Sequence, residues 1–366
     1  MMRRVKVGVI GCGLVAQVMH LHYLRELAEQ FEIAALCDVS EPVRSACARD
    51  YGVTQVFADW RDLLACDIDA VFVLTSGSHA PIAIAAAEAG KHLMVEKPMC
   101  FSVQEGEAMI AAAERAGVVL MVAYNKRYDP AYRRLQDEAK GLQELRLVRV
   151  TTLESPFLPY VAHYRMHKGE PPAADLAARF VADNAARIDA AIGDADPLSR
   201  QAYQLVLLDS MVHEFNAIRG VLGEPDRLEF ADIRQHGLTA VLCFGETQCI
   251  VTWVDLPDMA RYQMEFALYA LDRRLTLSFP SPFLRSMPSL LTMEAGDSDG
   301  PRSWRMDETS SYAESFKEEL IHFHDCVCTG RLPVTSGTDA LRDIALCQAV
   351  VAAHRDRLPR DHPTVI

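Results

Sequence analysis

The chain has 366 residues, 50% of them apolar and 24% charged, with 19 Gly and 18 Pro. That mixture belongs to a folded globular protein of two domains or one elaborated domain, and it excludes collagen, coiled coil and disorder. Lys and Arg number 37 against 50 Asp and Glu, a formal net charge of −13, which argues against nucleic acid as a partner because such a field repels phosphate backbones. The ten cysteines include no C-x-x-C pair, so free thiols in a reducing cytoplasm are expected and a structural metal is not. The first apolar stretch stops at Gly11, too short for the core of a signal peptide. Nothing approaches the roughly 18 apolar residues of a membrane span, so no membrane partner is expected.

Val5–Ile10 is a β-rich apolar run, and Gly11-Cys-Gly13-Leu14-Val15-Ala16 follows it directly, fitting G-x-G-x-x-G/A at a first strand–helix junction. In that pattern Gly11 permits the tight turn, Gly13 lets backbone approach a pyrophosphate, and Ala16 keeps the helix close to the strand. Glu32–Cys37 reads as the second strand and ends before Asp38, 22 residues beyond Ala16. A carboxylate there accepts hydrogen bonds from ribose hydroxyls and repels a 2′-phosphate, which favours NAD over NADP. Arg44, a helical turn further on, softens that preference and keeps NADP open. Val53–Phe57, Ala70–Thr75, His92–Glu96 and Val118–Ala123 continue the strands, with helices over Pro81–Ala89 before Gly90 and Val103–Ala116 before Gly117. Apolar strands alternating with helices predict an α/β fold: a doubly wound parallel sheet over residues 1–125, folding around its own core. Lys97, in Glu96-Lys97-Pro98 at the end of the fifth strand, lies where such sheets bind ligands. His79, after Thr75-Ser76-Gly77-Ser78, reads alone as a helix-cap residue.

After Asn125 the grammar changes. Tyr132–Lys140 is helical, and Leu145–Leu153 alternates as a half-exposed strand does. Segments 227–234, 239–244, 248–254, 262–270 and 273–279 add further strands, predicting a large, open, mostly antiparallel sheet in an α+β domain over 126–366. Pro171–Arg200, with ten Ala and five Asp, reads as an exposed helical insertion, expected to stand clear of the first domain's ligand loops. Just before it, Tyr160, His163, Tyr164, Arg165 and His167 form a polar-aromatic cluster, either a lid over a polyhydroxylated ligand or packing for the insertion. Trp253 and Arg261 read as sheet structure. Ser311–Thr329 and Thr338–Ala353 are amphipathic helices that close the chain.

These residues together resemble the Gfo/Idh/MocA oxidoreductases, relatives of glucose–fructose oxidoreductase and inositol dehydrogenase. Gly11–Ala16 and Thr75-Ser76-Gly77-Ser78-His79 look like that family's cofactor loops, Ala89–Pro98 its hallmark strand ending in Glu-Lys-Pro, and Asn125-Lys-Arg-Tyr128 its crossing motif. Asp209-Ser-Met-Val-His213 is similar to its D-x-x-x-H pair, and Ser315-Phe316 through Pro333 to its closing helix and turn. The resemblance implies cofactor contacts from Gly11, Gly13, Leu14, Val15, Asp38, Thr75, Ser76, His79, Glu96, Lys97 and Asn125. It also implies a catalytic trio of Lys97, Asp209 and His213. Spacing i, i+4 on a helix puts Asp209 and His213 on one face. Imidazole there accepts a hydroxyl proton, the carboxylate orients the ring or binds a neighbouring hydroxyl, and the Lys97 ammonium stabilises charge on the oxygen without a metal. The implied activity is NAD(P)-dependent hydride transfer at a secondary alcohol or ketone of a sugar, nucleotide sugar or cyclitol, in a homodimer or homotetramer. Two alternatives stay open: a redox-assisted enzyme with retained NAD, and a non-catalytic dinucleotide sensor. The lead-in Gln204-Leu-Val-Leu-Leu where the family often has glycines, Ser76 where it commonly has Pro, and the 171–200 insertion all depart from the family pattern.

Overall fold

The computed structural model describes residues 3–170 and 173–357. Six strands form a parallel sheet: β1 (Val5–Ile10), β2 (Phe31–Cys37), β3 (Gln55–Phe57), β4 (Ala70–Val73), β5 (His92–Glu96) and β6 (Leu120–Ala123), in the order β3-β2-β1-β4-β5-β6. The central strands are buried on both faces, as their unbroken apolar runs require, and every residue of β4 and β6 is buried, whereas β3 at the edge is not. The helix Val103–Ala116 starts at Ser102, whose hydroxyl accepts the Glu105 N–H, and stops at Gly117 in the left-handed region. β4 ends at Val73, two residues before its apolar run does, and β3 and β6 each start two residues late. Val53 and Val118 each donate their N–H to the last turn of the preceding helix, at Ala48 and Ala113, so helix closure takes the residues that would have begun the strand.

A second sheet of eight strands is built from β7 (Leu147–Glu154), β8 (Arg227–Arg234), β9 (Gly237–Phe244), β10 (Thr247–Asp255), β11 (Gln263–Tyr269), β12 (Arg273–Phe279), β13 (Leu290–Gly296) and β14 (Ser303–Glu308). The order is β14-β13-β12-β11-β7-β10-β9-β8, antiparallel except where β7 and β10 run side by side. β13 and β14 are not legible in the sequence. β14 sits at the edge and is exposed along nearly its whole length, so it lacks the alternation that marks a half-buried strand.

Two features position the site. The helix Ser315–Thr329 returns to the first sheet, where Phe316, Leu320, Phe323 and Val327 share one core with Val5, Val7, Phe31 and Phe72. The core of the first sheet is therefore shared with a helix from beyond residue 125. The helix Val212–Leu222, which begins beside His213, is tied to the closing helix Gly337–Arg357 through Arg219. That buried guanidinium donates to Asp343 at 2.6 Å and Asp339 at 3.1 Å, while Asn216 donates to Asp343 at 2.7 Å.

The insertion comprises the helices Ala174–Ile192 and Pro197–Ala202, and Pro171 and Pro172 lie outside the described residues. It runs into a π-helical stretch, Tyr203–Met211, that carries Asp209. No helix among the described residues is long and apolar enough to cross a membrane.

Candidate active site

The loop after β1 makes one wall of a groove. Gly11 has φ +95°, and a Cβ there would run into the Leu74 backbone, so only glycine lets β1 and β4 deliver their loops side by side. Above Gly13 there is open space, and Leu14 and Val15 at the start of the helix line the groove. This is a backbone cradle shaped for a phosphate group. Asp38 stands beside it, its carboxylate accepting the N–H of Cys12 at 2.7 Å and of Ser40 at 2.8 Å. Arg44 donates to the carbonyls of Asp38 and Val39 rather than to that carboxylate. The opposite wall is Thr75, Ser76 and Gly77.

His79 belongs to the same wall and is buried, its ring nitrogens each 2.7 Å from a backbone carbonyl, Thr75 on one side and Pro98 on the other. Those engagements make His79 a brace between two loops rather than a free donor to a cofactor. Burial pushes its pKa down, although both carbonyls oppose that shift.

At the end of β5 the chain turns into the site. Glu96 is almost buried; one oxygen lies 2.7 Å from His20 Nε2 and the other accepts the Lys97 N–H at 3.0 Å. Burial works to raise the Glu96 carboxyl, but His20 and Lys97 together outweigh it and hold the group below the ordinary carboxylate range. Lys97 Nζ donates to Asp209 Oδ1 at 2.7 Å and to the Asp209 carbonyl at 2.6 Å. Burial opposes charge on Lys97, yet the Asp209 carboxylate prevails and raises its pKa, so the ammonium is permanent at neutral pH.

Asp209 and His213 line the same cleft, as one helical face would place them, but no hydrogen bond joins them; Asp209 lies in the π-helical stretch and His213 just beyond it in an α-helix. Asp209 is turned to Lys97 instead. His213 packs edge-on to Tyr124 at 5.9 Å and its buried Nδ1 has no partner. Burial, then the cations Lys126 and Lys97, push its pKa well below the usual value, leaving a neutral imidazole at pH 7.

His213, Lys97 and Asp209 line a cleft of about 660 Å³, together with Asn125, whose amide donates to Ser315 Oγ at 3.0 Å. The groove of about 390 Å³ opens into this cleft, and both are lined by Leu14, Val15, Ser76, Glu96, Lys97 and Asp209. Several cleft residues escaped the sequence reading. Lys126 is buried next to Asn125, with its pKa pushed down to about 8 by burial against the opposing pull of Glu214. Glu154 ends β7, and burial raises its carboxyl. Trp253, expected as sheet structure, lies in β10 and also lines the cleft, its indole beside the Glu154 carboxylate, and Tyr262 lines the same wall. The position of Lys126 just past the end of β6 was the available signal.

The polar-aromatic cluster divides. Tyr160 lines the cleft, its hydroxyl accepting the Tyr262 N–H, whereas Tyr164 bonds the Phe283 carbonyl and His167 reaches Asp50. The insertion does not stand clear of the groove: Phe180 and Asn184 line it beside Gly77.

Residues 5–124 match a family model described as an oxidoreductase family with an NAD-binding Rossmann fold, the Gfo/Idh/MocA model. The chain is 25% identical over 369 residues to a D-apiose dehydrogenase of Paraburkholderia graminis, covering 97% of this chain and 88% of that one. It is 23% identical over 346 residues to a myo-inositol 2-dehydrogenase of Thermotoga maritima, covering 91% of each. A levoglucosan dehydrogenase solved with NADH and levoglucosan superposes with a TM-score of 0.75 at 18% identity, covering 97% of this chain and 98% of that one.

Proposed function

Because the chain belongs to the Gfo/Idh/MocA oxidoreductases, we propose that it moves a hydride between a nicotinamide cofactor and a secondary alcohol or ketone of a sugar, nucleotide sugar or cyclitol. The observation that carries this reading is the junction of groove and cleft at Lys97. A nicotinamide dinucleotide laid along Gly11, Gly13, Leu14 and Val15, with Thr75 and Ser76 opposite, supplies the hydride acceptor or donor where the substrate cleft begins. Asp38 at the ribose end favours NAD over NADP.

Oxidation of a carbinol releases its hydroxyl proton as the hydride leaves. His213, neutral and lining the cleft, is the base for that proton. The Lys97 ammonium stabilises negative charge on the reacting oxygen, and Asp209 fixes Lys97 and offers an acceptor to a neighbouring hydroxyl. Three further elements of the reading rest on general features. Ten free cysteines fit a reducing cytoplasm. A net charge of −13 disfavours nucleic acid. The face of the eight-stranded sheet that carries half-exposed Val241, Ile250 and Val254 suits self-association into a homodimer or homotetramer.

The test is titration of the purified protein with NADH and NADPH by fluorescence, followed by absorbance assays with NAD and a panel of sugars and cyclitols. Tighter NADH binding and polyol-dependent NADH formation, abolished by Lys97→Met, are expected. Failure to bind either dinucleotide would sink the reading.

A further inference from the structure

The cleft of about 660 Å³ has two chemically different ends. At the end that joins the groove, Lys97, Asp209, His213, Lys126 and Glu154 lie within electrostatic reach of one another. The other end is apolar. Phe157, from the loop after β7, and Phe283, from the loop after β12, bring their ring centroids to 6.3 Å, and Pro282 and Tyr160 complete that wall.

Both aromatic loops are pinned. The Tyr160 hydroxyl accepts the Tyr262 N–H at 2.6 Å, which ties the helical turn Leu158–Val161 to the residue before β11. The Tyr164 hydroxyl donates to the Phe283 carbonyl at 2.8 Å and accepts the Arg285 N–H at 3.1 Å. Phe157 is nonetheless 47% exposed. An aromatic ring held at the rim of a cleft with half its surface in water is preorganised for an apolar group of a ligand.

The ligand that suits both ends is polyhydroxylated at one end and apolar at the other. A bare sugar or cyclitol carries hydroxyls all round and satisfies the charged end alone. A second sugar ring at the outer end would find no polar side chain in Phe157, Pro282 or Phe283, and the Tyr160 hydroxyl is already engaged. A nucleotide sugar places a diphosphate between sugar and base. Among the described residues that line the cleft the only cations are Lys97 and Lys126, both at the charged end with Glu96, Glu154 and Asp209 around them. A diphosphate next to the phenylalanines would lose water without gaining a cation.

Resting on the dehydrogenase reading above, we propose that the substrate is a glycoside, a sugar whose ring hydroxyls meet the charged end and whose anomeric oxygen carries a neutral aromatic aglycone packed against Phe157 and Phe283. The anomeric carbon then has no free hydroxyl, so the carbon oxidised is another ring carbon bearing a secondary alcohol. Its C–H hydride passes to NAD and its O–H proton to His213. The product is a keto-glycoside with the glycosidic bond intact, and one NADH forms for each alcohol oxidised.

The experiment compares phenyl and methyl glycosides of glucose, galactose and xylose on the full chain. Calorimetric titration of the NADH-saturated protein reads binding, and NADH formation from NAD reads kcat/KM. For at least one sugar the phenyl glycoside is expected to bind about tenfold tighter than the methyl one, with a more negative heat-capacity change, and to be favoured similarly in kcat/KM. Phe157→Ala and Phe283→Ala should each bring that ratio below threefold. Phe157 is half-exposed at the rim, so its replacement leaves the core intact if the Phe283 variant fails to fold. A ratio below threefold in the wild type for every sugar, a ratio unchanged in Phe157→Ala, or tighter binding of UDP-glucose or cellobiose than of phenyl glucoside would overturn the proposal. NADH formation from free sugars or cyclitols without any phenyl preference would remove the aglycone and leave the dehydrogenase reading standing, whereas absence of NADH binding would refute that reading itself.

Discussion

His213 and Lys97 carry opposite electrostatic assignments within one cleft, and each assignment has a local cause. Burial and two neighbouring cations keep the imidazole neutral, whereas the Asp209 carboxylate keeps the Lys97 ammonium charged. A neutral base beside a fixed cation is the combination that alcohol oxidation needs. His213→Ala should lower kcat by roughly 10²–10⁴, the usual loss for an acid–base group, with NADH affinity nearly unchanged. The acidic limb of kcat/KM should lie below pH 6.5, because the folded-state pKa of His213 is depressed. Lys126→Met should move that limb to higher pH, since it removes one of the charges that disfavour the imidazolium. A pH–rate profile of the two proteins checks the sign, and a limb that stays in place would separate Lys126 from the base.

At the scale of elements, the first sheet and its loops were readable because most of its strands are near-continuous apolar runs separated by helices that stop at glycine, and Lys97 follows the general rule for strand ends. Geometry that depends on context was not readable. The i, i+4 spacing of Asp209 and His213 places both on one cleft, but it does not say that Asp209 bonds Lys97 rather than the imidazole. Trp253 sits among alternating sheet residues, so nothing local marks it as facing a cleft. Glu319 was hidden for a similar reason, lying in an amphipathic helix whose pattern does not say which carboxylate is buried. It is 0% exposed and both its oxygens lack partners, so burial, with Glu96 and Glu314 nearby, pushes its pKa well above 4.5. A carboxyl whose folded pKa is raised contributes stability that is full below the unfolded pKa and is lost as pH rises through the folded one. Glu319→Gln should therefore raise Tm relative to wild type at pH 8, with the gain fading towards pH 4.5. Thermal unfolding at both pH values checks this, and an equal shift at the two would show that ionisation is not the cause.

The whole molecule interleaves its two sheets so that neither half of the site is independent. Lys97 comes from the first sheet and Asp209 and His213 from the helix packed beneath the second, so the Lys97–Asp209 contact spans the two. The chain then returns, and the helix Ser315–Thr329 completes the core of the first sheet. Phe316, Leu320, Phe323 and Val327 are each buried there. At roughly 1.5–3 kcal/mol for burying each such side chain, their loss is comparable with the roughly 5–15 kcal/mol that holds an ordinary domain folded. A chain ended at residue 125 should accordingly lack a cooperative thermal transition, even though it keeps all six strands and every glycine of the groove. Supplying residues 311–331 through a flexible linker should restore the transition, and NADH binding with it. Circular dichroism melts of the two chains, with and without NADH, make the comparison. A sharp transition in the shorter chain would mean that the first sheet folds without the returning helix, and that the packing seen here adds to a core already sufficient.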